Sequence, residues 1–191
     1  MRMKIAVFGG SFNPLHIGHI FIAKAVKNEL GYEKIIFVPS NISSHKEDLS
    51  GITSSARLEM LTETLKEYDD FIVDTSDIER GGVSYSIDTI NHIYKNYSFE
   101  GKPGFIIGDD LLKDFPTWKT ADKLKELIDL IVVRRITNEK LDSNLPNYYI
   151  KNTIMPVSSS DIRKRVKQGK TIKDMVPESV RLKISKNGYY R

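Results

Sequence analysis

Short apolar runs alternate along this chain with longer segments of helical periodicity. The runs are rich in isoleucine and valine, which is typical of strands buried on both faces of a parallel sheet. A repeated strand, helix, strand order requires right-handed crossovers and places helices on both faces. The pattern therefore predicts an α/β fold with a doubly wound, mainly parallel sheet. The predicted strands are residues 4–8, 34–39, 71–75, 104–108 and 130–135, with a further strand within 148–157, and the predicted helices are residues 17–30, 55–68, 86–97 and 120–127.

No segment of the chain predicts export or membrane insertion. The first apolar run, residues 4–8, is shorter than the roughly 7–15 residues of a signal-peptide core. No later stretch approaches the roughly 18 apolar residues of a spanning helix. The chain has no cysteine, which excludes disulfide frameworks and thiolate catalysis. We expect a cytoplasmic protein with no membrane partner, folded as one domain over residues 1–191, because this length suits a single core.

The stretch GGSFNPLHIGH, from Gly9 to His19, directly follows the first predicted strand. Ligands of open parallel sheets bind at the carboxyl ends of strands, and the unpaired N–H groups at a helix start favour phosphate. His16 and His19 lie three residues apart and share one face of the first helical turn. Gly18 between them is expected to leave room for a ligand. Two imidazole donors beside backbone donors predict stabilisation of negative charge on a transferring phosphoryl group.

Two other interpretations of this stretch are open. A histidine pair at this spacing could bind a metal, although no cysteine is present and no third ligand follows at a recognisable spacing. The histidines could also only cap and pack the helix. The glycines and the strand-end position favour a ligand site over both. The stretch has neither the GxGxxG nor the GxxxxGK pattern, which argues against hydride transfer and P-loop kinase chemistry.

One basic cluster interrupts an otherwise mixed charge pattern, in a chain of net charge +4. From charge alone, a solvated helix face is favoured. A nucleic acid or a small polyphosphate is the alternative ligand. The cluster contains Arg163, Lys164, Arg165, Lys167, Lys170 and Lys173.

The two stretches together resemble the nucleotidyltransferase superfamily. GGSFNPLHIGH is similar to its GG-T-F-D-P-x-H-x-G-H signature, with Ser11 and Asn13 in place of threonine and aspartate, and SSSDIRKR is similar to its second signature, S-S-T-x-I-R. The resemblance implies that the basic cluster acts as a triphosphate clamp. The ATP-binding residues that it implies are Gly9, Gly10, Ser11, Phe12, Gly18, Gly108, Asp110, Ser158, Ser159 and Ser160.

Within that superfamily, the middle of the chain resembles the bacterial nicotinate-nucleotide adenylyltransferases. SHKEDL followed by RLEML is similar to their P-H-K loop and R-x-x-M-L helix, with Ser44 for proline. VSYSIDTI resembles S-Y-T-x-D-T-L, with Ser86 for threonine. FIIGDDLLKDFPTW is similar to F-I-I-G-x-D followed by P-x-W, which places Asp110 and not Asp109 on the matching acid, and NGYY resembles the family's C-terminus. The resemblance implies a Rossmann-like fold and transfer of AMP from ATP to nicotinate mononucleotide.

The resemblance also implies a role for each group around the phosphates. His16 and His19 would hold the triphosphate, Lys46 would close over it from the polar segment 40–53, and Arg163 would bind the departing pyrophosphate. Mg²⁺ would arrive with ATP and bridge its phosphate oxygens, so no resident metal site is expected. We expect segment 40–53 to tighten when both substrates are bound. A nucleic acid partner is not expected, and the oligomeric state is not predicted.

The acceptor nucleotide is expected at Tyr85, Ser86 and Trp118. Trp118 lies in a polar stretch, which favours a stacking platform for the pyridine ring over a packing role. Backbone N–H groups and the Ser86 hydroxyl suit a ring carboxylate, and Asp88 is expected to point elsewhere. These features favour nicotinate mononucleotide over its amide. The alternatives are the amide or another phosphate acceptor, or a non-catalytic nucleotide-binding module on the same fold.

Overall fold

The computed structural model describes residues 3–43, 52–134, 146–153 and 155–191. Strands and helices alternate along these residues. The strands are β1 (Ile5–Gly10), β2 (Lys34–Pro39), β3 (Ile42–Ser43), β4 (Phe71–Val73), β5 (Val83–Ser84), β6 (Gly104–Gly108), β7 (Asp129–Val133) and β8 (Tyr148–Ile150). The helices are α1 (Ile17–Leu30), α2 (Ser54–Leu65), α3 (Ser76–Arg80), α4 (Ser86–Asn96), α5 (Ala121–Leu127), α6 (Ser159–Lys167) and α7 (Glu178–Asn187), with 3-10 turns at Asp109–Leu111 and Phe115–Thr117.

The main sheet has six parallel strands in the order β4-β2-β1-β6-β7-β8. The chain builds outward from β1 through β2 to β4, and then returns to the other side of β1 to add β6, β7 and β8. Strand order therefore reverses between β1 and β6. The carboxyl ends of these two strands, at Gly10 and Gly108, border the crevice in which ligands of open α/β sheets bind.

Successive side chains of the sheet point into two separate cores. In β1, Ala6 and Phe8 belong to the core that packs against α1, α2, α6 and α7. Ile5 and Val7 belong to the core on the opposite face, which packs against α4 and α5. Both faces of the sheet are therefore covered, which explains why its strands are continuously apolar. The predicted fold class is confirmed.

Several predicted boundaries differ from those of the structure. The strand predicted over residues 71–75 ends at Val73, because the Asp74 carboxylate accepts a hydrogen bond from the Ser76 N–H at 3.0 Å and starts α3. Helix α2 ends at Leu65 and not at residue 68. The polar segment 40–53, for which no strand is predicted, contains β3, which pairs in parallel with β5. Residues 44–51 of that segment lie outside the described residues.

Candidate active site

A cavity of about 470 Å³ lies at the carboxyl ends of the central strands. Its wall includes the end of β1, the end of β6 and the starts of α1, α4 and α6. Asp110 and Tyr85 adjoin wall residues in sequence without lining the cavity themselves, and Lys46 lies outside the described residues. The predicted site residues that line the cavity are Gly9, Gly10, Ser11, Phe12, His16, Gly18, His19, Ser86, Gly108, Trp118, Ser158, Ser159, Ser160 and Arg163.

The rings of His16 and His19 lie against each other at the start of α1, tilted by 32°. Their ring centroids lie 3.7 Å apart, and the His16 side chain is buried. The backbone N–H of His16 donates to Nδ1 of His19 at 3.2 Å. A nitrogen that accepts a hydrogen bond carries no proton, so the neutral His19 ring carries its hydrogen on Nε2. The fold therefore fixes the tautomer of His19 and makes Nε2 the donor of that ring.

Gly10 and Gly18 lie close to the rings of neighbouring side chains. A Cβ on Gly18 would lie 3.0 Å from Nδ1 of His16 and 3.1 Å from Cγ1 of Val157. A Cβ on Gly10 would lie 3.2 Å from the ring of Phe12. A side chain at position 18 would therefore press on His16 and Val157. Gly18 itself lines the cavity, and the expectation that it leaves room for a ligand stays a prediction. Gly18 is needed for the packing of His16.

The first turn of α1 offers fewer donors to an anion than the sequence predicted. The N–H of Ile17 donates to the carbonyl oxygen of Met175 at 3.1 Å, and the N–H of His19 donates to the carbonyl oxygen of His16 at 3.0 Å. These two groups are already bonded within the protein. The prediction of an outward-facing set of helix-start donors is wrong for both of them.

The serines of the second signature connect it to the first. The Ser158 hydroxyl caps α6, since it accepts from the N–H of Asp161 at 3.1 Å and donates to its carboxylate at 2.7 Å. The Ser159 hydroxyl donates to the carbonyl oxygen of Pro14 at 3.0 Å. This contact joins the start of α6 to the loop between β1 and α1.

Arg163 makes a second connection between the two signatures. Its Nη1 donates to the carbonyl oxygen of Asn13 at 2.8 Å, and its Nη2 donates to the Ser160 hydroxyl at 3.2 Å. The rest of the basic cluster does not line the cavity. The expectation that the whole cluster forms a triphosphate clamp is wrong, because its other members project from the outer surface of α6 and the turn that follows. Those members are Lys164, Arg165, Lys167, Lys170 and Lys173, and all but the half-buried Arg165 are exposed.

Arg57 is a wall residue that the sequence did not single out. Its side chain is 2% exposed and lies at the start of α2. Nη1 donates to the carbonyl oxygen of Ser11 at 2.5 Å, and Nη2 donates to the carbonyl oxygens of Ser40 and Asn41 at 2.7 and 2.8 Å. One buried guanidinium thus joins the segments that follow β1 and β2. The R-x-x-M-L match was the sequence signal, but it carries no information about burial.

A buried carboxylate, Asp77, also lines the cavity and was missed. It is 4% exposed and accepts hydrogen bonds from the Thr89 hydroxyl at 2.9 Å and from Nη2 of Arg80 at 2.6 Å. Asp88, the acid that the sequence analysis considered, lies outside the wall and pairs with Nζ of Lys119 at 3.2 Å. The expected orientation of Asp88 is confirmed. The charge of Asp77 is countered by the guanidinium of Arg80.

Trp118 is both a core residue and a wall residue. It is 8% exposed, and its ring packs edge-on against Phe105 at 6.3 Å and tilted against Phe115 at 5.1 Å. The polar sequence neighbours of Trp118 argued against a packing role, but the ring does pack in the core. The tryptophan belongs to the core on the α4 and α5 face while part of it borders the cavity.

A second buried acid, Asp74, lies outside the cavity wall. Its carboxylate accepts from the Tyr97 hydroxyl at 2.8 Å and lies 3.2 Å from Nε2 of His92. Burial alone would raise the pKa of Asp74, but hydrogen bonds from Ser76 and Tyr97 and the charge of His92 outweigh it and hold this pKa below its ordinary value. Burial and the neighbouring carboxylate raise the pKa of Tyr97. The cluster joins the end of β4 to α4.

Comparison with known proteins identifies the family. The model of the cytidylyltransferase-like family matches residues 7–165. A probable nicotinate-nucleotide adenylyltransferase of Borreliella afzelii (strain PKo) is 40% identical over 188 residues, covering 98% of this chain and 97% of the relative. The chain belongs to the nicotinate-nucleotide adenylyltransferase family. A further probable nicotinate-nucleotide adenylyltransferase, from Treponema pallidum (strain Nichols), is 32% identical and covers 99% of this chain and 100% of its own.

A solved structure shares the fold of this nicotinate-nucleotide adenylyltransferase family member. Plasmodium falciparum nicotinic acid mononucleotide adenylyltransferase, complexed with NaAD, superimposes with a TM-score of 0.74 at 22% identity, over 98% of this chain and 97% of that one. The family resemblance drawn from the sequence motifs is thus confirmed at full length. Both signatures of the family lie in one cavity wall.

Proposed function

We propose that this chain transfers AMP from ATP to nicotinate mononucleotide and forms the deamido dinucleotide precursor of NAD and pyrophosphate. The observation that carries the proposal is the cavity at the switch point, where His16 and His19 of the first signature and Arg163 of the second line one wall. The named activity of relatives up to 40% identical at full length supports it. Adenylyl transfer is the chemistry that such a wall suits, because it needs charge stabilisation and positioning more than a protein nucleophile.

In the proposed reaction, a phosphate oxygen of the acceptor attacks the α-phosphorus of ATP. The new P–O bond forms as the bond to the β-phosphate oxygen breaks, and the electron pair leaves with pyrophosphate. His19 contributes the hydrogen on Nε2 as a donor to a phosphate oxygen, in the tautomer that the His16 N–H fixes. His16, which lies against it, holds the His19 ring in place.

The leaving pyrophosphate is proposed to bind at Arg163 and at the start of α6. A planar guanidinium suits phosphate oxygens, and that of Arg163 is held against the first signature by the Asn13 carbonyl oxygen. Ser158, Ser159 and Ser160 line the same part of the wall. Lys46 stays a predicted contributor from outside the described residues.

Mg²⁺ is proposed to enter with ATP and to neutralise part of the triphosphate charge. Within residues 3–43, 52–134, 146–153 and 155–191, no three His, Asp or Glu side chains are grouped so that they could hold a metal ion. The carboxylates of the wall, Asp77 and Asp161, are bonded to Arg80 and Ser158. These side chains fit an ion that the nucleotide would carry.

The acceptor is proposed to lie between Trp118 and the start of α4, near Ser86. Asp77 in the same wall does not oppose a ring carboxylate strongly, because Arg80 pairs with it at 2.6 Å. Tyr85 adjoins Ser86, and its ring lies 4.3 Å from Nζ of Lys119. Because Lys119 also pairs with Asp88 at 3.2 Å, the preference for an anionic pyridine ring is proposed to rest on the backbone N–H groups at the start of α4 and on the Ser86 hydroxyl.

Pyrophosphate release from ATP and Mg²⁺ with a panel of acceptors tests the proposal. We expect rapid release with nicotinate mononucleotide, slower release with nicotinamide mononucleotide and none with phosphopantetheine. Equal kcat/KM for the acid and the amide would overturn the acceptor preference and leave adenylyl transfer standing. ATP binding without pyrophosphate release with any acceptor would instead support a non-catalytic nucleotide-binding module.

The cellular context stays a prediction. In the part of the chain that the structure describes, no helix combines the length and the apolar character needed to cross a membrane. The cytoplasmic location, the single domain over residues 1–191 and the lack of a nucleic acid partner follow from the sequence arguments alone. Titration of the purified protein with labelled RNA at physiological salt tests the last of these.

A further inference from the structure

A buried hydrogen bond joins the turn after α7 to the first signature. The Tyr190 hydroxyl lies 2.7 Å from Oδ1 of Asn13. Tyr190 is 8% exposed and Asn13 is 6% exposed, so the bond is screened from solvent. Because the asparagine oxygen can only accept, the phenol donates the hydrogen and fixes which way the Asn13 amide faces.

The backbone around Tyr190 is shaped to make this contact. Helix α7 is followed by Gly188, which has φ 66°, and Tyr190 itself has φ 64°. A non-glycine residue in the left-handed region is uncommon and persists where tertiary contacts hold it. Val180 and Ile184 anchor α7 in the core beneath the cavity. The chain turns back sharply after α7 and delivers the phenol to the signature loop.

Asn13 connects this phenol to the phosphate site. Its backbone carbonyl oxygen accepts the hydrogen bond from Nη1 of Arg163 at 2.8 Å. Phe12, immediately before it, lines the cavity with φ 44°, a second non-glycine residue in the left-handed region. A change at the Asn13 side chain therefore moves both the carbonyl that orients Arg163 and the turn that carries Phe12.

We propose that Tyr190 is a positioning residue of the nucleotide site, which acts by holding Asn13 and through it Arg163. The expected effects on kcat and KM rest on the proposed function. It also explains why asparagine serves where the family signature has aspartate, since either side chain offers an oxygen that accepts from the phenol. Tyr190 touches neither substrate in this assignment.

Tyr190→Phe tests the proposal, because it removes one oxygen atom and keeps the ring. Tyr189→Phe, the same change at the half-buried neighbour, is the matched control. We expect Tyr190→Phe to lower kcat/KM for ATP roughly 3- to 10-fold, the effect of one lost hydrogen bond, with a raised KM for ATP and an unchanged KM for nicotinate mononucleotide. Tyr189→Phe is expected to stay within about twofold of the wild type.

Asn13→Asp supplies the conservative variant. While Tyr190 is present, this variant is expected to retain kcat/KM for ATP within a few-fold of the wild type. Adding Tyr190→Phe is expected to lower kcat/KM more in the Asn13→Asp enzyme than in the asparagine enzyme, because a buried carboxylate then lacks its phenol donor. Additive effects in this double-mutant cycle would overturn the coupling. A Tyr190→Phe enzyme with a lowered Tm and an unchanged KM for ATP would overturn the positioning role in favour of a structural one.

Calorimetric titration with ATP separates this inference from the proposed function. If the wild type releases no pyrophosphate with any acceptor, the proposed function fails, and the titration still compares ATP affinity among wild type, Tyr190→Phe and Tyr189→Phe. Weaker ATP binding only in Tyr190→Phe supports the inference. Equal affinity of all three proteins overturns it.

Discussion

Arg57→Met is expected to destabilise the protein and to disorganise the phosphate site together. The change keeps an unbranched side chain of similar length and removes the donors to three carbonyl oxygens, those of Ser11, Ser40 and Asn41. Leaving one buried acceptor without its donor costs about 1–3 kcal/mol, so the loss of three donors at a cavity wall, where water can replace part of them, is expected to cost about 3–5 kcal/mol. A domain of this size loses roughly 2–4 °C of Tm per kcal/mol. The Tm should therefore fall by about 6–20 °C.

The assay is a pair of measurements on the same purified variants. Thermal unfolding gives Tm, and pyrophosphate release well below the Tm of the least stable variant gives kcat and KM. Arg181→Met is the matched control, since Arg181 pairs on the surface with Glu178 and surface ion pairs contribute little. Arg57→Lys keeps the charge but places a single ammonium group where two nitrogens bridge two segments. Its Tm should therefore lie between those of the wild type and Arg57→Met.

The activity and the stability of these variants need to change together for the reasoning to hold. The segment carrying Ser11 lies in the cavity wall, so its release should also lower kcat/KM for ATP by about tenfold or more. A Tm for Arg57→Met within about 2 °C of that of Arg181→Met would refute the claim that this guanidinium stabilises the fold by joining the two segments. Unchanged kcat/KM in a destabilised Arg57→Met would refute its connection to the site.

Four further changes probe other groups. His19→Ala should keep the fold and reduce pyrophosphate release by roughly 10²- to 10³-fold, and near-normal turnover would contradict its role. Trp118→Ala should raise KM for nicotinate mononucleotide more than KM for ATP, and also lower Tm because the ring packs in the core; equal KM changes would contradict a contact with the acceptor. Gly18→Ala should lower turnover, because its Cβ would press on His16 at 3.0 Å, and a fully active variant would show that the ring can yield. Asp74→Asn should lower Tm at pH 7. This Tm deficit should shrink as the pH falls below 3.8, the ordinary carboxyl value, and through the lowered pKa of Asp74, because a carboxylate with a lowered pKa stabilises the fold only while it is ionised. A deficit independent of pH would contradict the assignment.

The sheet and the longer helices could be predicted because their signals are local. Strand β2 and helix α1 have the predicted bounds, and α1 stops where Gly31 takes φ 68° and ends the helix. Helix α3, with five residues, is too short to show a helical period. The pairing of β3 with β5 involves two residues in each strand, below the length at which strand alternation can be read.

The cavity could be placed from the sequence, but the partners of its side chains could not. The switch-point rule places the first signature correctly, because strand order follows from chain topology. The burial of Arg57 and Trp118 depends on segments distant in sequence, and neither neighbouring sequence is apolar. The closeness of the His16 ring to Gly18 could not be predicted either, because residue spacing does not reveal this contact.

The hydrogen bonds that complete the phosphate site connect residues far apart in the sequence. Ser159 and Pro14 are 145 positions apart, Arg163 and Asn13 are 150 apart, and Tyr190 and Asn13 are 177 apart. During synthesis, the first signature leaves the ribosome well before these partners and lacks them until they have followed. Contacts of such separation are slow to form because a long loop must close first. The growing chain can therefore build β1, α1 and β2 early, but it acquires a competent nucleotide site only as its final helices fold onto the first loop.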